Sequence, residues 1–215
     1  MALSVLLYED NDLLRESIGS MMQLDDRYRV AGAFNNVLTA EKQVVEINPD
    51  IVLMDIDMPG RTGIEAVKRI RAMGIRMPVL MLTVFDDTEH VFDAICAGAS
   101  GYLLKSADPA EIKKAITEVM SKGYYLNNFV NRILLKKSHS RQKVVPTLNS
   151  EITLSERERD VIKYICMEFT AHEIAQKLDV SPRTVEAIKD RLMERFGAKN
   201  TAGLVFFAVK NNLID

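Results

Sequence analysis

The first 122 residues alternate five times between a short apolar run and an amphipathic segment with helical spacing. The apolar runs at residues 51–54 and 79–82 contain no alternating polar positions, which is typical of strands buried on both faces. Segments such as 63–73 and 110–122 place apolar residues three or four positions apart. This alternation predicts an α/β fold for residues 1–122, a five-stranded doubly wound parallel sheet with helices on both faces. Asp12 is predicted to cap the first helix, and residues 36–47 are predicted to form the second.

The end of the chain follows a different pattern, because every segment after residue 154 has helical spacing. Ser155 with Glu158 predicts a capping box, Thr170 predicts a second helix start, and Ser181 followed by Pro182 predicts a third. A fourth helix is predicted at residues 201–211. Residues 150–215 are therefore predicted to form a smaller all-α domain of four helices with a helix-turn-helix.

Charge supports a division into two domains. Residues 1–121 carry 12 basic and 19 acidic residues, residues 122–148 carry six basic and no acidic residues, and residues 149–215 carry 10 basic and 11 acidic residues. The basic stretch, broken by Pro146, predicts a linker at residues 123–149 that contains one short helix at 128–137.

Composition excludes several classes of protein. The chain is 47% hydrophobic and 27% charged, which is the balance of a folded globular protein rather than a disordered one. No apolar run approaches the roughly 20 residues that a membrane helix needs, so we expect a cytoplasmic protein without membrane contact. Cys96 and Cys166 lack the spacing of a metal site and are predicted to be buried apolar thiols.

Polar residues follow the predicted strands at one edge of the sheet. Glu9 and Asp10 come after the first strand and Asp55 after the third, so that three carboxylates converge. Clustered carboxylates repel one another unless a cation lies among them, and a hard divalent ion, Mg²⁺, suits such oxygen ligands. Thr83 and Lys105 end the fourth and fifth strands. Singly, each of these residues is ordinarily a helix cap or a surface charge, but together they predict a phosphoryl-transfer site.

The segments SVLLYED, DIVLMDIDMPGRTG, PVLMLT and GASGYLLKS resemble the receiver domain of two-component response regulators. The resemblance implies that Asp55 is the phospho-acceptor and that Asp10 contacts Mg²⁺ directly. It also implies that Glu9 contacts the ion through water and that Asp57 offers its backbone carbonyl. Lys105 would contact the phosphoryl group. Thr83 and Tyr102 would form a switch pair in which Thr83 moves inward and Tyr102 rotates in from the surface.

Two alternatives stay open at this point. Asp55 and Asp57 also resemble the D-x-D motif of haloacid-dehalogenase-type phosphohydrolases, although there the pair normally ends the first strand. The other alternative is a receiver that binds partners without phosphorylation. The favoured hypothesis is a regulator rather than an enzyme.

The segment LSERERDVIKYICMEFTAHEIAQKLDVSPRTVEAIKDRLMERFGAKN resembles the LuxR-type DNA-binding domain, which together with a receiver is typical of the NarL/FixJ family. Residues 183–196 would form the recognition helix in the major groove of double-stranded DNA. Its apolar positions are predicted to be core, and its outward positions are predicted DNA contacts: Arg183, Thr184, Glu186, Ala187, Lys189 and Arg191. Ile188 and Lys189 stand where the family often has a His-Arg pair, so base preference cannot be carried over. The family implies phosphorylation by a sensor histidine kinase and a homodimer when phosphorylated or bound to DNA, with the last helix as a dimer contact.

Overall fold

The computed structural model describes residues 2–85, 87–126 and 154–211, together with Leu213. A parallel sheet with strand order β2-β1-β3-β4-β5-β6 forms the centre of the amino-terminal part. Its strands are β1 (Leu3–Tyr8), β2 (Tyr28–Phe34), β3 (Ile51–Met54), β4 (Val79–Thr83), β5 (Gly101–Leu104) and β6 (Tyr125–Leu126). The helices between and after them are α1 (Asp12–Gln23), α2 (Ala40–Ile47), α3 (Gly63–Ala72), α4 (Thr88–Ala97) and α5 (Pro109–Lys122). The predicted doubly wound fold is confirmed.

Alternate residues of each strand face opposite sides of the sheet, and each side is covered by different helices. Helices α1 and α5 pack on the face that carries Val5, Leu7 and Leu53. Helices α2, α3 and α4 pack on the face that carries Leu6 and Met54. Because both faces are buried, the strands are apolar throughout, as the sequence indicated.

Two predicted helix starts are wrong by a few residues. Asn11 caps α1 by accepting a hydrogen bond from the main-chain N–H of Leu14, and Asp12 is the first helical residue. Helix α2 begins at Ala40 rather than at position 36, because the Asn36 side chain accepts from the N–H of Leu38 and forms a turn.

The sixth strand was not predicted, and it corrects the expected linker boundary at residue 123. Tyr125 pairs with Gly101 and Leu126 with Tyr102 in parallel register, so these first residues of the expected linker extend the sheet. The expected helix at residues 128–137 lies outside the described residues.

The carboxyl-terminal part contains the four predicted helices: α6 (Glu156–Cys166), α7 (Ala171–Leu178), α8 (Pro182–Phe196) and α9 (Thr201–Lys210). Capping boxes begin α6 at Ser155 and α7 at Thr170, and Ser181 caps α8 with Pro182 in its first turn. Among the described residues, no helix is both long and apolar enough to cross a membrane. Both cysteines are free thiols, but Cys96 on α4 is exposed and Cys166 on α6 is half-buried, so the prediction that both are buried is wrong for Cys96 and only partly met by Cys166.

Helix α9 packs against α4, and we call this the α4–α9 contact. The rings of Phe92 on α4 and Phe206 on α9 meet edge to face, with centroids 5.1 Å apart. The side-chain amide of Asn200, just before α9, donates to the carbonyl oxygens of Gly98 and Ala99 at the end of α4, each at 2.8 Å. A second contact lies at the end of α5, where the Tyr124 hydroxyl donates to the Ile165 carbonyl oxygen.

Candidate phosphorylation site and DNA-binding face

Three carboxylates meet at the carboxyl ends of β1 and β3. The two strands pair in register through Tyr8 and Met54, so the residues that follow them are neighbours. The main-chain N–H of Asp55 donates to the Tyr8 carbonyl oxygen at 3.0 Å and extends this pairing by one step. One oxygen each from Glu9, Asp10 and Asp55 lies within 4.8 Å of the others. Glu9 and Asp55 are only 1% and 2% exposed, whereas Asp10 is exposed.

The Lys105 ammonium joins two of these carboxylates. It lies 2.7 Å from Glu9 Oε1 and 2.9 Å from Asp55 Oδ2. Lys105 follows β5, and its N–H donates to the Thr83 carbonyl oxygen at 2.7 Å, which fixes the end of β5 against β4. Four of the five residues predicted to converge at this edge, Glu9, Asp10, Asp55 and Lys105, therefore meet through their side chains, and Thr83 lies beside them through its main chain.

Burial and charge set the protonation of the cluster. Burial raises the pKa of the Glu9 and Asp55 carboxyl groups, and contact with Lys105 opposes this effect. Burial disfavours the charged form of Lys105, but its bonds to the two carboxylates outweigh burial and raise its pKa. Lys105 therefore remains a cation beside Asp55.

One carboxylate oxygen of the cluster is buried without a hydrogen-bond partner. Among the described residues only Glu9 Oε2 and Arg61 Nε are buried side-chain atoms of this kind. An unpaired carboxylate oxygen is costly to bury, and a divalent cation among the three acids would satisfy it, so the donor set fits Mg²⁺. The Asp57 carboxylate is exposed and does not belong to this cluster.

The predicted switch pair differs from expectation. Thr83 is fully buried, and its hydroxyl oxygen accepts from the main-chain N–H of Phe85 at 3.3 Å. Tyr102 is also fully buried, and its hydroxyl donates to the Phe85 carbonyl oxygen at 2.9 Å. The expectation that Tyr102 starts at the surface is wrong, because this hydrogen bond and its apolar surroundings hold the ring inside.

Sequence reasoning missed two residues beside the site. A Cβ atom on Gly63 would lie 1.9 Å from the Asp55 carbonyl oxygen, so only glycine fits at the start of α3. This glycine ends the DIDMPGRTG segment, and that close spacing to Asp55 was the available signal. The guanidinium of Arg15 donates to the Glu9 carbonyl oxygen at 2.8 Å, a contact that no motif had indicated.

The predicted recognition helix is α8. Val185, Ile188 and Leu192 are buried in the domain core as expected, and Phe196 is partly buried against Phe207, with ring centroids 4.4 Å apart. The six candidate DNA contacts divide into two groups. Arg183, Ala187 and Arg191 are exposed, whereas Thr184, Glu186 and Lys189 are half-buried.

Comparison with known proteins identifies both parts. Residues 5–117 match the model of the response regulator receiver domain, and residues 152–208 match that of the luxR family of bacterial regulatory proteins. This chain is a two-component response regulator. It is 31% identical over 216 residues to the oxygen regulatory protein NreC of Staphylococcus aureus, an alignment that covers 99% of this chain and all of NreC.

Solved structures agree with this identification. The response regulator ChrA of a haem-sensing two-component system is 25% identical, with 99% of both chains covered and a TM-score of 0.53. A LuxR-family response regulator from Aurantimonas sp. SI85-9A1 is 29% identical, with 64% of this chain and 98% of that chain covered and a TM-score of 0.59. The chain is thus a phosphorylation-dependent transcription regulator of the NarL family.

The face of α8 that carries most of the candidate DNA contacts is turned toward the receiver. A cavity of about 910 Å³ separates α3 from α8, and Ala187, Asp190 and Arg191 line it from the α8 side. Arg76 of the receiver lies 3.9 Å from Asp190 across this cavity. A smaller cavity of about 110 Å³ lies between the end of α5 and the α8 residues Glu186 and Lys189. Four of the six candidate DNA contacts, Glu186, Ala187, Lys189 and Arg191, therefore line clefts against the receiver.

Proposed function

We propose that Asp55 receives a phosphoryl group from a sensor histidine kinase in a reaction that depends on Mg²⁺. The observation that carries the proposal is the position of Lys105, which holds Asp55 and Glu9 together beside the unpaired Glu9 Oε2. Glu9, Asp10 and Asp55, with the backbone carbonyl of Asp57, would hold the ion. When bound, Mg²⁺ supplies positive charge that offsets the oxygens of the incoming phosphoryl group.

Asp55, Lys105 and Thr83 carry out the other steps of the phosphoryl transfer. The Asp55 carboxylate attacks the phosphorus atom, the bond between phosphorus and the donor histidine nitrogen breaks, and an acyl phosphate forms on Asp55. Lys105 turns its ammonium from Asp55 Oδ2 to the new phosphoryl oxygens. The Thr83 hydroxyl donates a hydrogen bond to another of these oxygens. The Thr83 oxygen then moves away from the Phe85 N–H.

Labelling with acetyl phosphate tests this site. We expect Asp55→Asn to abolish labelling and excess chelator to suppress it in the natural chain. Asp57→Asn is the matched control, because only its main-chain carbonyl is assigned a role, and it is expected to label normally. Labelling that survives chelation would contradict the metal assignment.

The same assay separates the alternatives. A regulator retains the acyl phosphate, a phosphohydrolase that uses Asp55 and Asp57 turns acetyl phosphate over, and a receiver that works without phosphorylation stays unlabelled. Turnover at many equivalents per minute that is lost in Asp57→Asn would favour the hydrolase.

We further propose that the phosphorylated chain binds double-stranded DNA as a homodimer through α8. Helix α9 supports the dimer because it is apolar on nearly every side, and its Phe206 ring packs on Phe92 of α4. When the two domains separate, this apolar surface becomes exposed to water. Packing against α9 of a second copy of the chain buries it again.

Lys189 and Arg191 test the DNA-binding face. We expect Lys189→Ala and Arg191→Ala each to weaken DNA binding of the phosphorylated protein by about tenfold and to reduce the slope of affinity against salt. The duplex can be selected from a random library by the phosphorylated protein. Lys163→Ala, on the exposed side of α6, is the charge-matched control and is expected to bind normally. Unchanged affinity in both α8 variants would show that this face does not touch DNA.

A further inference from the structure

The loop between β1 and α1, residues 9–11, carries two of the three acids and is held by one arginine. Nη1 of Arg15 lies 2.8 Å from the Glu9 carbonyl oxygen and 3.4 Å from the Asp10 carbonyl oxygen. The other guanidinium nitrogen forms an ion pair with Asp12. The Arg15 side chain is largely buried, at 18% exposed, whereas that of Asp12 is 80% exposed.

Helix stability accounts for the ion pair with Asp12, but not for the two carbonyl contacts. Arg15 lies near the amino end of α1, where the helix dipole and the free N–H groups disfavour a positive charge. A planar guanidinium with several fixed donors can bind two adjacent carbonyl oxygens, and these contacts offset that unfavourable position. The groups that it binds are the main-chain carbonyls of the two residues whose side chains face the cluster.

The rest of the loop is fixed by separate contacts. The Glu9 N–H donates to the Phe34 carbonyl oxygen at 3.0 Å, and the Asn11 N–H donates to Glu9 Oε1 at 3.2 Å. The second contact holds the N–H side of the peptide group between Asp10 and Asn11, whose orientation helps to set where the Asp10 carboxylate points. Arg15 contacts the carbonyl oxygen of that peptide group.

We propose that Arg15 is a positioning residue for the metal site, which fixes the loop so that the Asp10 and Glu9 carboxylates meet Asp55 before a cation binds. This inference rests on the proposed Mg²⁺ site. Residues behind metal ligands typically change metal affinity by 10–100-fold when they are lost, although they do not touch the ion.

Three possible roles of Arg15 predict different changes in Mg²⁺ affinity when Arg15 is removed. If Arg15 positions the acids, its removal weakens Mg²⁺ binding. If it acts only through its positive charge, its removal strengthens Mg²⁺ binding, because a nearby cation repels the ion. If it only stabilises α1, its removal lowers the melting temperature without metal and leaves the Mg²⁺ affinity unchanged.

The experiment is calorimetric titration of the full chain with Mg²⁺, together with melting temperatures with and without the ion. We expect Arg15→Met to raise the Kd for Mg²⁺ by about tenfold and to reduce the metal-dependent rise in melting temperature. Arg15→Lys, which keeps the charge and can reach one carbonyl, is expected to fall between Arg15→Met and the natural chain.

Two control variants complete the design. Arg27→Met removes the same charge at the opposite end of β1, where the Arg27 carbonyl accepts from the Leu3 N–H, and should leave the Kd unchanged. Asp12→Asn removes the exposed partner of Arg15 and should change the Kd by less than threefold. An unchanged or lower Kd in Arg15→Met overturns the inference. If the natural chain itself shows no Mg²⁺ binding, the proposed metal site fails instead, so the two failures are distinguishable.

Discussion

The phosphorylation site and the α4–α9 contact are both built from residues far apart in sequence, but they are built in different ways. In the candidate phosphorylation site, each polar side chain ends or directly follows a strand, and the parallel sheet brings all the strand ends to one edge. Asp55 and Lys105 have only to follow their strands in order to meet.

The α4–α9 contact has no such framework. Asn200 belongs to the carboxyl-terminal domain, where its side-chain oxygen caps α9 by accepting from the Gly203 N–H at 2.9 Å. Its amide group simultaneously donates to two carbonyls at the end of α4, in the other domain. Its sequence explains the first role, since asparagine is a preferred cap, and gives no sign of the second.

The difference separates residues that define the chemistry from residues that regulate it. A strand-end site is rigid, because its main chain is held by sheet pairing on both sides. The α4–α9 contact includes one amide and one pair of rings, and we expect phosphorylation to break it, since coupling between sites in proteins is typically about 1–3 kcal/mol.

The largest expected effect tests the rigidity of the first region. Gly63→Ala places a Cβ atom 1.9 Å from the Asp55 carbonyl oxygen, an overlap with main-chain atoms that no side-chain rotation relieves. We expect a loss of about 2–4 kcal/mol in the free energy of unfolding and much slower labelling by acetyl phosphate. Denaturant unfolding and labelling rates measure the two effects.

Gly19→Ala is the matched control for this prediction. Gly19 lies inside α1, and a Cβ atom there meets nothing within 4 Å. Alanine is the better helix former by about 0.8–1.0 kcal/mol, so this variant is expected to be more stable than the natural chain. Normal stability and labelling in Gly63→Ala would show that the edge of the sheet yields more easily than its packing indicates.

Sequence reasoning succeeded where local patterns act alone. The first five strands, the capping box at Ser155, the helix cap at Thr170 and the convergence of Glu9 with Lys105 all follow from period, cap chemistry and topology. Sequence reasoning failed where tertiary contacts determine whether a residue is buried or forms a strand. Tyr102 is inside because the Phe85 carbonyl accepts its hydroxyl, and β6 forms because Tyr125 meets the free edge of β5. Neither partner lies near its residue in sequence.

The effect of intermediate size tests the α4–α9 contact directly. Asn200→Ser keeps an oxygen that can cap α9 but removes the amide donor, and Asn200→Asp keeps the cap and adds a charge that repels the two α4 carbonyls. We expect the unphosphorylated Ser variant to bind a selected DNA duplex about fivefold tighter than the natural chain, and the Asp variant about tenfold tighter. Fluorescence anisotropy measures both affinities.

Phosphorylated forms supply the control for Asn200. Once the domains have separated, the Asn200 amide no longer faces α4, so phosphorylated variants and phosphorylated natural chain are expected to agree within about twofold. Asn200→Ala, which loses the cap as well, should lower the stability of the carboxyl-terminal domain by about 1 kcal/mol. If the Ser and Asp variants bind DNA as the unphosphorylated natural chain does, the α4–α9 contact does not restrain the domain.

The smallest effect is expected from Tyr102→Phe, at the point where the two regions meet. Thr83 and Tyr102 both hold the main chain of Phe85, Thr83 through its N–H and Tyr102 through its carbonyl oxygen. Thr83 can exchange its Phe85 contact for a phosphoryl oxygen. Tyr102 is already buried, so no inward rotation of its ring remains to report phosphorylation. We therefore expect Thr83→Ala to label normally and to lose most of its gain in DNA affinity on phosphorylation.

Tyr102→Phe keeps the ring and loses its hydrogen bond to Phe85, worth about 1 kcal/mol, so its gain in DNA affinity on phosphorylation should change by less than about threefold. The ratio of DNA affinities with and without acetyl phosphate gives both results. A Tyr102→Phe variant as unresponsive as Thr83→Ala would mean that the hydroxyl bond to Phe85 is itself the link between phosphorylation and α4.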